Sequence, residues 1–350
     1  MSYHETYEFL AIDRCLTRSE MRALRAISTR ATITPSRFYN FYDWGGLRGD
    51  PRDMLRRYFD LFVYTGNGRP ELGMLRFPAD RLDLTRWRPY VTKQRGATEP
   101  ASGASVATEG DTVILTMRPA EDTTLWPVDR ETIDDVDNRW PDDYFEDELL
   151  DEAAWPVPLA LVRADLLAGD LRPLYLLWLL SVQCGERRAT TVAPPRPPNL
   201  APLTGSLHVF AEFLRLNPDL LTIALETRQS GARTVEELLT AADAWSRTQR
   251  RKEAERAAAA RSRRLAALEK RQETEWREIE RELDAPRVRP SIYDDAMRRL
   301  TALHELAVDR RNEAAFRGRL RALLDRQGKK TSLQRRVKEA GLEAGTEAPE

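Results

Sequence analysis

The sequence predicts an α+β fold: an N-terminal ferredoxin-like α/β sandwich, then a helical domain, then a long C-terminal helical arm folded back as a hairpin. Three observations predict it. Residues 1–120 alternate β-type runs with two capped amphipathic helices in the order β-α-β-β-α-β. Residues 156–231 carry apolar positions at helical spacing. Residues 234–284 open on a Thr-x-x-Glu box and hold neither Gly nor Pro, which only a long helix requires. The boundaries that follow are a sheet domain over 1–120, an acidic linker over 121–155, a helical domain over 156–231, the long helix with its hairpin over 232–342, and a disordered tail over 343–350.

In order, residues 7–13 read as a strand with Tyr7, Phe9 and Ala11 on one face. Thr17 and Glu20 form a capping box, and Leu16 staples onto Met21, so a helix runs from Arg18 to about Ser28. Residues 31–34 and 37–43 are strands, the second rich in the aromatic residues that suit a pleated surface. The glycine-rich turn at 45–49 leads to Asp50 as a cap and Pro51 at the first helical position, with Met54, Leu55, Tyr58, Phe59 and Phe62 as the buried face. The Thr65-Gly66-Asn67-Gly68 run ends that helix, and residues 72–77 and 112–117 are further strands. Helices are expected near 159–167, 174–182, 207–214 and 218–227, with Asn217-Pro218 as a start and Gly231 as a stop.

The long helix divides by charge. Arg247, Arg250, Arg251, Lys252, Arg256, Arg261, Arg263 and Arg264 make its first half basic, while Glu dominates 273–284. Leu265, Leu268, Trp276, Ile279 and Leu283 keep one face apolar. If the chain reverses between Pro286 and Pro290, Leu283 meets Tyr293, Ile279 meets Met297, Trp276 meets Leu300 and Leu268 meets Ala307. That matching predicts an antiparallel pair over 265–307, followed by helices around Phe316 to Leu324 and over 332–340.

Composition narrows the functional classes. Lys and Arg total 55 against 56 Asp and Glu, so the chain is not uniformly basic, but it contains opposed blocks: the arm, and an acidic run over 121–152 interleaved with Trp126, Trp140, Tyr144 and Phe145. Cys15 and Cys184 support neither a disulfide framework nor a zinc site, and are expected as reduced, buried thiols. The longest apolar run, 174–182, is about half of what a bilayer span needs. These features point to a cytoplasmic protein with no membrane partner and no cofactor.

Tyr293-Asp294-Asp295-Ala296, Leu300, Leu303, Phe316, Arg319-Leu320 and the ending from Thr331-Ser332-Leu333 to Lys338-Glu339-Ala340-Gly341-Leu342 resemble the C-terminal tail of bacterial proteins carrying SWIM-type zinc fingers. The zinc-binding Cys and His pattern of that finger is missing, so the resemblance implies a helical tail for packing or partner binding and no zinc. The whole chain, especially residues 7–14 and 33–64, also resembles bacterial proteins of no assigned function.

No motif specifies a reaction. The turn at 45–49 lacks the lysine of a P-loop, and Asp50 stands where a phosphate would sit. His4, His208 and His304 are scattered, and His208 between Leu207 and Val209 reads as a hydrogen-bonded structural histidine in a packed helix. Adjacent acids such as Asp134/Asp135 and Asp142/Asp143 diverge on a helix or strand and do not form pairs by adjacency alone. The expected function is a non-catalytic interaction or adaptor protein presenting the basic arm to a protein partner. The alternatives are a nucleic-acid-associated protein binding phosphates through the same arginines, and an enzyme with an unrecognised site in the N-terminal domain. Self-association between the acidic segment and the arm is a further expectation.

Overall fold

The computed structural model describes residues 4–93, 103–120, 155–203, 205–226, 233–285, 289–327 and 331–342. The acidic run with Asp134/Asp135 and Asp142/Asp143, the Gly231 stop, the reversal at 286–288 and the tail at 343–350 lie outside the described residues. The fold is mixed α+β, with strands in the N-terminal part and helices mostly C-terminal. It divides into two compact units, residues 1–247 and 248–350.

The first unit is built on an eight-stranded sheet in the order β2-β3-β1-β4-β5-β8-β7-β6. Its strands are β1 (Glu5–Leu10), β2 (Thr32–Ile33), β3 (Arg37–Tyr42), β4 (Leu61–Gly66), β5 (Arg69–Pro78), β6 (Thr92–Lys93), β7 (Gly103–Glu109) and β8 (Thr112–Arg118). All neighbours pair antiparallel except β6 with β7. One face carries α1 (Arg18–Ile27) and α2 (Pro51–Tyr58), whose Leu24, Met54 and Leu55 pack with Phe9, Phe38, Phe62 and Met74. Phe9 stands opposite Phe38 and Phe62 in register, with ring centroids 5.7 and 4.4 Å away. Each such ring contributes ~1.5–3 kcal/mol by leaving water.

The other face carries α4 (Pro156–Leu167), α5 (Arg172–Gln183), α6 (Ser206–Phe213), α7 (Pro218–Leu225) and the start of α8 (Val235–Leu283), packed on Leu61, Val63, Leu75, Phe77, Val113 and Leu115. A short helix α3 (Leu84–Trp87) follows β5. Sheet and helices therefore share one core. The contact is close at Gly73, where a Cβ would sit 2.8 Å from Cζ of Phe213.

The local start signals hold. Thr17 Oγ1 accepts from the Glu20 N–H at 3.2 Å while the Thr17 N–H donates to Glu20 at 2.7 Å. Thr234 and Glu237 repeat the exchange at 3.2 and 2.8 Å, and Asn217 Oδ1 accepts from Asp219 and Leu220. One expectation is corrected: α2 ends at Tyr58, and Phe62 belongs to β4. Asn67 and Gly68, both at positive φ, make the tight turn joining β4 to β5 rather than stopping a helix. Leu61, Phe62 and Val63 alternate between two buried faces, so the strand shows no apolar-polar alternation.

In the second unit, the later part of α8 packs with α9 (Pro290–Asp309), α10 (Glu313–Arg326) and α11 (Thr331–Glu339). Leu265, Leu268, Trp276, Ile279 and Leu283 share a core with Ala296, Leu300, Leu303 and Ala307; of the four α9 residues paired by the matched spacing, Leu300 and Ala307 lie in that core, and Tyr293 and Met297 pack against it partly buried. Glu278 with Arg299 at 2.5 Å and Glu269 with Arg310 at 2.8 Å set α8 and α9 antiparallel. Phe316 of α10 lies 5.6 Å from the Trp276 ring, and the Arg319 guanidinium covers that ring at 4.8 Å.

Candidate functional site

Every residue of α8 from 250 to 264 is exposed, four turns without a buried side chain. The cations predicted there are not equivalent. Arg247 pairs with Asp243 one turn back, and Arg251 lies 3.7 Å from Glu255. Arg261 reaches Glu305 at 2.7 Å and Asp309 at 3.5 Å, and Arg264 also pairs with Glu305, so both point toward α9. Arg250, Lys252, Arg256 and Arg263 are exposed, and none has an ion pair among the described residues.

Helix geometry sorts these further. At about 100° per residue, Lys252, Arg256, Arg263, Lys270, Arg277 and Arg281 fall within a sector ~60° wide, roughly opposite the buried seam of Leu265, Leu268, Trp276 and Ile279. All six are exposed, and no Asp or Glu of residues 252–281 falls in that sector. The row runs ~44 Å along the axis, with three successive steps of ~10.5 Å between Arg256, Arg263, Lys270 and Arg277.

Arg277 and Arg281 lie in the part of α8 whose Glu content reads as acidic, and Lys270 stands just before it. Those carboxylates are used internally. Glu275, Glu278 and Glu282 surround Arg299 of α9, and Glu273 and Glu280 meet Arg319 of α10, with Glu280 also 3.5 Å from Arg326. The hydrogen bond and charge of Arg319 hold the Glu273 carboxyl below its ordinary range. With its acids so engaged, α8 presents a basic face to solvent along both halves. Residues 248–350 carry 26 Lys and Arg against 19 Asp and Glu, a net charge of +7.

A second charged cluster has no local sequence signal. Arg163 of α4, only 2% exposed, donates to both carboxylate oxygens of Asp13 at 2.9 and 2.6 Å and through Nε to the Arg76 carbonyl at 2.7 Å. Its Nη2 lies 3.6 Å from Asp60, which pairs with Arg76 and accepts the N–H groups of Ile12 and Asp13 at 2.6 and 2.8 Å. Two anions and two cations thus tie the loop after β1, the start of β4, β5 and α4 together, with the guanidinium groups also bonded to the Phe59 and Arg76 carbonyls. This arrangement fastens the helical layer to the sheet.

The remaining polar candidates separate. His208 is exposed and lies 3.2 Å from Glu212 on the same helix, a correction to the packed position expected of it, because Leu207 and Phe210 take the inward face of α6. Cys15 is likewise exposed and Cys184 half-buried rather than buried, and neither is in a disulfide. After the 45–49 turn the N-terminus of α2 is capped by the Asp50 carboxylate, which accepts the Asp53 N–H at 3.0 Å. Among the described residues no group of three or more His, Cys, Asp or Glu is placed to hold a metal ion, and no helix is long and apolar enough to cross a membrane. No protein-family model matches the chain, and no curated protein or solved structure matches it either.

Proposed function

We propose that the protein is a non-catalytic interaction protein whose α8 offers its outward basic face to an acidic helical segment of a protein partner. The observation that carries this reading is the row of exposed cations from Lys252 to Arg281, free of acids within its sector. Its ~10.5 Å steps equal the spacing of carboxylates placed every seventh residue on a second helix. Charges repeated at that interval decide partner choice between helices. Nucleic acid is the alternative polyanion. A duplex carries a charge every ~1.7 Å of axis, far denser than one cation per ~9 Å, so the row neutralises few phosphates for its length.

The test is fluorescence anisotropy of the full chain with two probes: a synthetic helical peptide bearing Glu at every seventh position, and a duplex of similar length. The expected result is salt-sensitive peptide binding that is lost on combined Arg263→Glu, Lys270→Glu and Arg277→Glu reversal and kept in Arg261→Gln/Arg264→Gln. Duplex binding that exceeds peptide binding and vanishes in the same reversal would replace this reading with the nucleic-acid one. Two cysteines that are not joined in a disulfide fit a reducing, cytoplasmic setting. The ferredoxin-like reading of the first strands is supported by the order β2-β3-β1-β4 and by its antiparallel pairings, in which β3 lies between β1 and β2 and β4 pairs with the other edge of β1.

A further inference from the structure

A cavity of about 710 Å³ lies in the first unit beside β6 and β7. Its wall is apolar, made by Leu84, Trp87, Val91 and Val106, and its charged lining residues are Arg88, Lys93 and Arg187, with Thr92 and Thr108 as hydroxyls and no carboxylate among the described lining residues. The wall is well fixed. Trp87 is 4% exposed and stands edge-on to Phe77 at 5.5 Å, and the Tyr90 hydroxyl donates to the Pro195 carbonyl at 2.8 Å.

Arg187 is the unusual member. Its guanidinium is half-buried and is held by neutral acceptors, Nε donating to Ser181 Oγ and Nη2 to the Tyr90 carbonyl, each at 2.8 Å. No carboxylate stands within ion-pair distance of it among the described residues. The adjacent Glu186 turns its carboxylate under Gly103, where a Cβ would lie 2.2 Å from Oε1. Burial accordingly pushes the Arg187 guanidinium below its ordinary range, opposed only by the charge of Glu186. A half-buried cation without a paired anion is costly, and a bound anion supplies what is missing. Arg88 and Lys93, also without ion pairs, stand exposed at the rim.

We propose that this cavity binds a small organic anion with an aromatic or branched apolar body, the body against Trp87, Val91 and Val106 and a carboxylate or phosphate head on Arg187. A volume in the range of ~300–1,000 Å³, mostly apolar with a few convergent polar groups, is that of a preformed small-molecule site. The inference is independent of the reading of α8, since none of its residues lies on that helix.

Calorimetry on the full chain with phenyl phosphate, indole-3-acetate and the uncharged indole-3-ethanol tests it. The expected result is saturable binding of one or both anions, weakened ~10–100-fold in Arg187→Gln, the loss of a charged hydrogen bond. The relative affinity of the two anions assigns the head as phosphate or carboxylate. Because Arg187→Gln removes two internal hydrogen bonds, the exposed Lys93→Glu provides a second arm: it is expected to weaken both anions while leaving the far-UV circular dichroism unchanged. Equal binding of indole-3-ethanol, native affinity in a folded Lys93→Glu variant, or no saturable anion binding up to about 5 mM would overturn the proposal.

Discussion

Removing Arg163 tests the first unit at a cation almost wholly withdrawn from water. Arg163→Met keeps an apolar stem of similar length but takes away the two bonds to Asp13, the bond to the Arg76 carbonyl and the charge near Asp60. Asp60, 1% exposed, keeps Arg76 and two backbone donors, whereas Asp13 loses its strongest partner. Breaking one member of a buried pair costs ~3–5 kcal/mol, and the partial exposure of Asp13 puts the expectation at the lower end, ~3 kcal/mol. The loss has a sign in pH. Burial pushes the Asp13 carboxyl up, but the hydrogen bonds and charge of Arg163, with Asp60 and Arg76, outweigh it and hold the group below its ordinary range. A carboxyl depressed by folding stabilises above its unfolded value of ~3.9 and loses that contribution as pH falls through the folded value. The deficit of the variant is therefore full at pH 7 and narrows near pH 3. Urea unfolding followed by circular dichroism at both pH values measures it. A deficit below ~1 kcal/mol at pH 7, the range of an exposed pair, or an equal deficit at both pH values would refute the reasoning.

Trp276→Ala should cost the second unit ~3–5 kcal/mol, since the ring is 1% exposed and carries both Phe316 and Arg319; amide exchange in α8 and α9 should accelerate together. Gly73→Val should destabilise by ~1–3 kcal/mol through the Phe213 ring, and Gly73→Val with Phe213→Leu should recover part of the loss in the same urea assay. Glu20 should titrate at about 2 by NMR, depressed first by its hydrogen bonds from Arg14 and then by the Thr17 N–H, and Arg14→Gln should move it up toward ~4.3. Its contribution to stability is present above that unfolded value and lost as pH falls toward 2.

The parts of the fold legible in the sequence are those fixed by neighbours in the chain. The capping boxes at Thr17 and Thr234 close over three residues, and the seam from Leu265 to Leu283 repeats at helical spacing, so both survive without knowledge of the rest. The sheet was harder to read because it is covered twice. With helices on both faces, β4 loses the alternation that marks a half-exposed strand, and β7, built of Ala104, Ser105, Val106 and Ala107, has little apolar bulk to announce it. Arg163 and Asp13 are 150 positions apart, and the cavity residues Trp87, Val106 and Arg187 come from three distant segments. Nothing local links such groups.

The charge of α8 belongs to neither case, since its signal lies in the sequence but not in a count of charges along the chain. Counted in blocks, the helix is basic to residue 264 and acidic from 273. Counted by angle around its axis, with the apolar seam of Leu265, Leu268, Trp276 and Ile279 defining the inside, the same residues separate differently. Arg261, in line with the seam one turn before it begins, and Arg264, beside it, meet Glu305, while Lys270, Arg277 and Arg281 stand opposite it. The carboxylates of the second half flank the seam as well, where Arg299, Arg319 and Arg326 of the neighbouring helices reach them. A charge beside a buried seam is spent on holding the bundle together, and one opposite the seam remains available to a partner. That distinction selects Lys252, Arg256, Arg263, Lys270, Arg277 and Arg281 for mutation ahead of the rest of the basic segment.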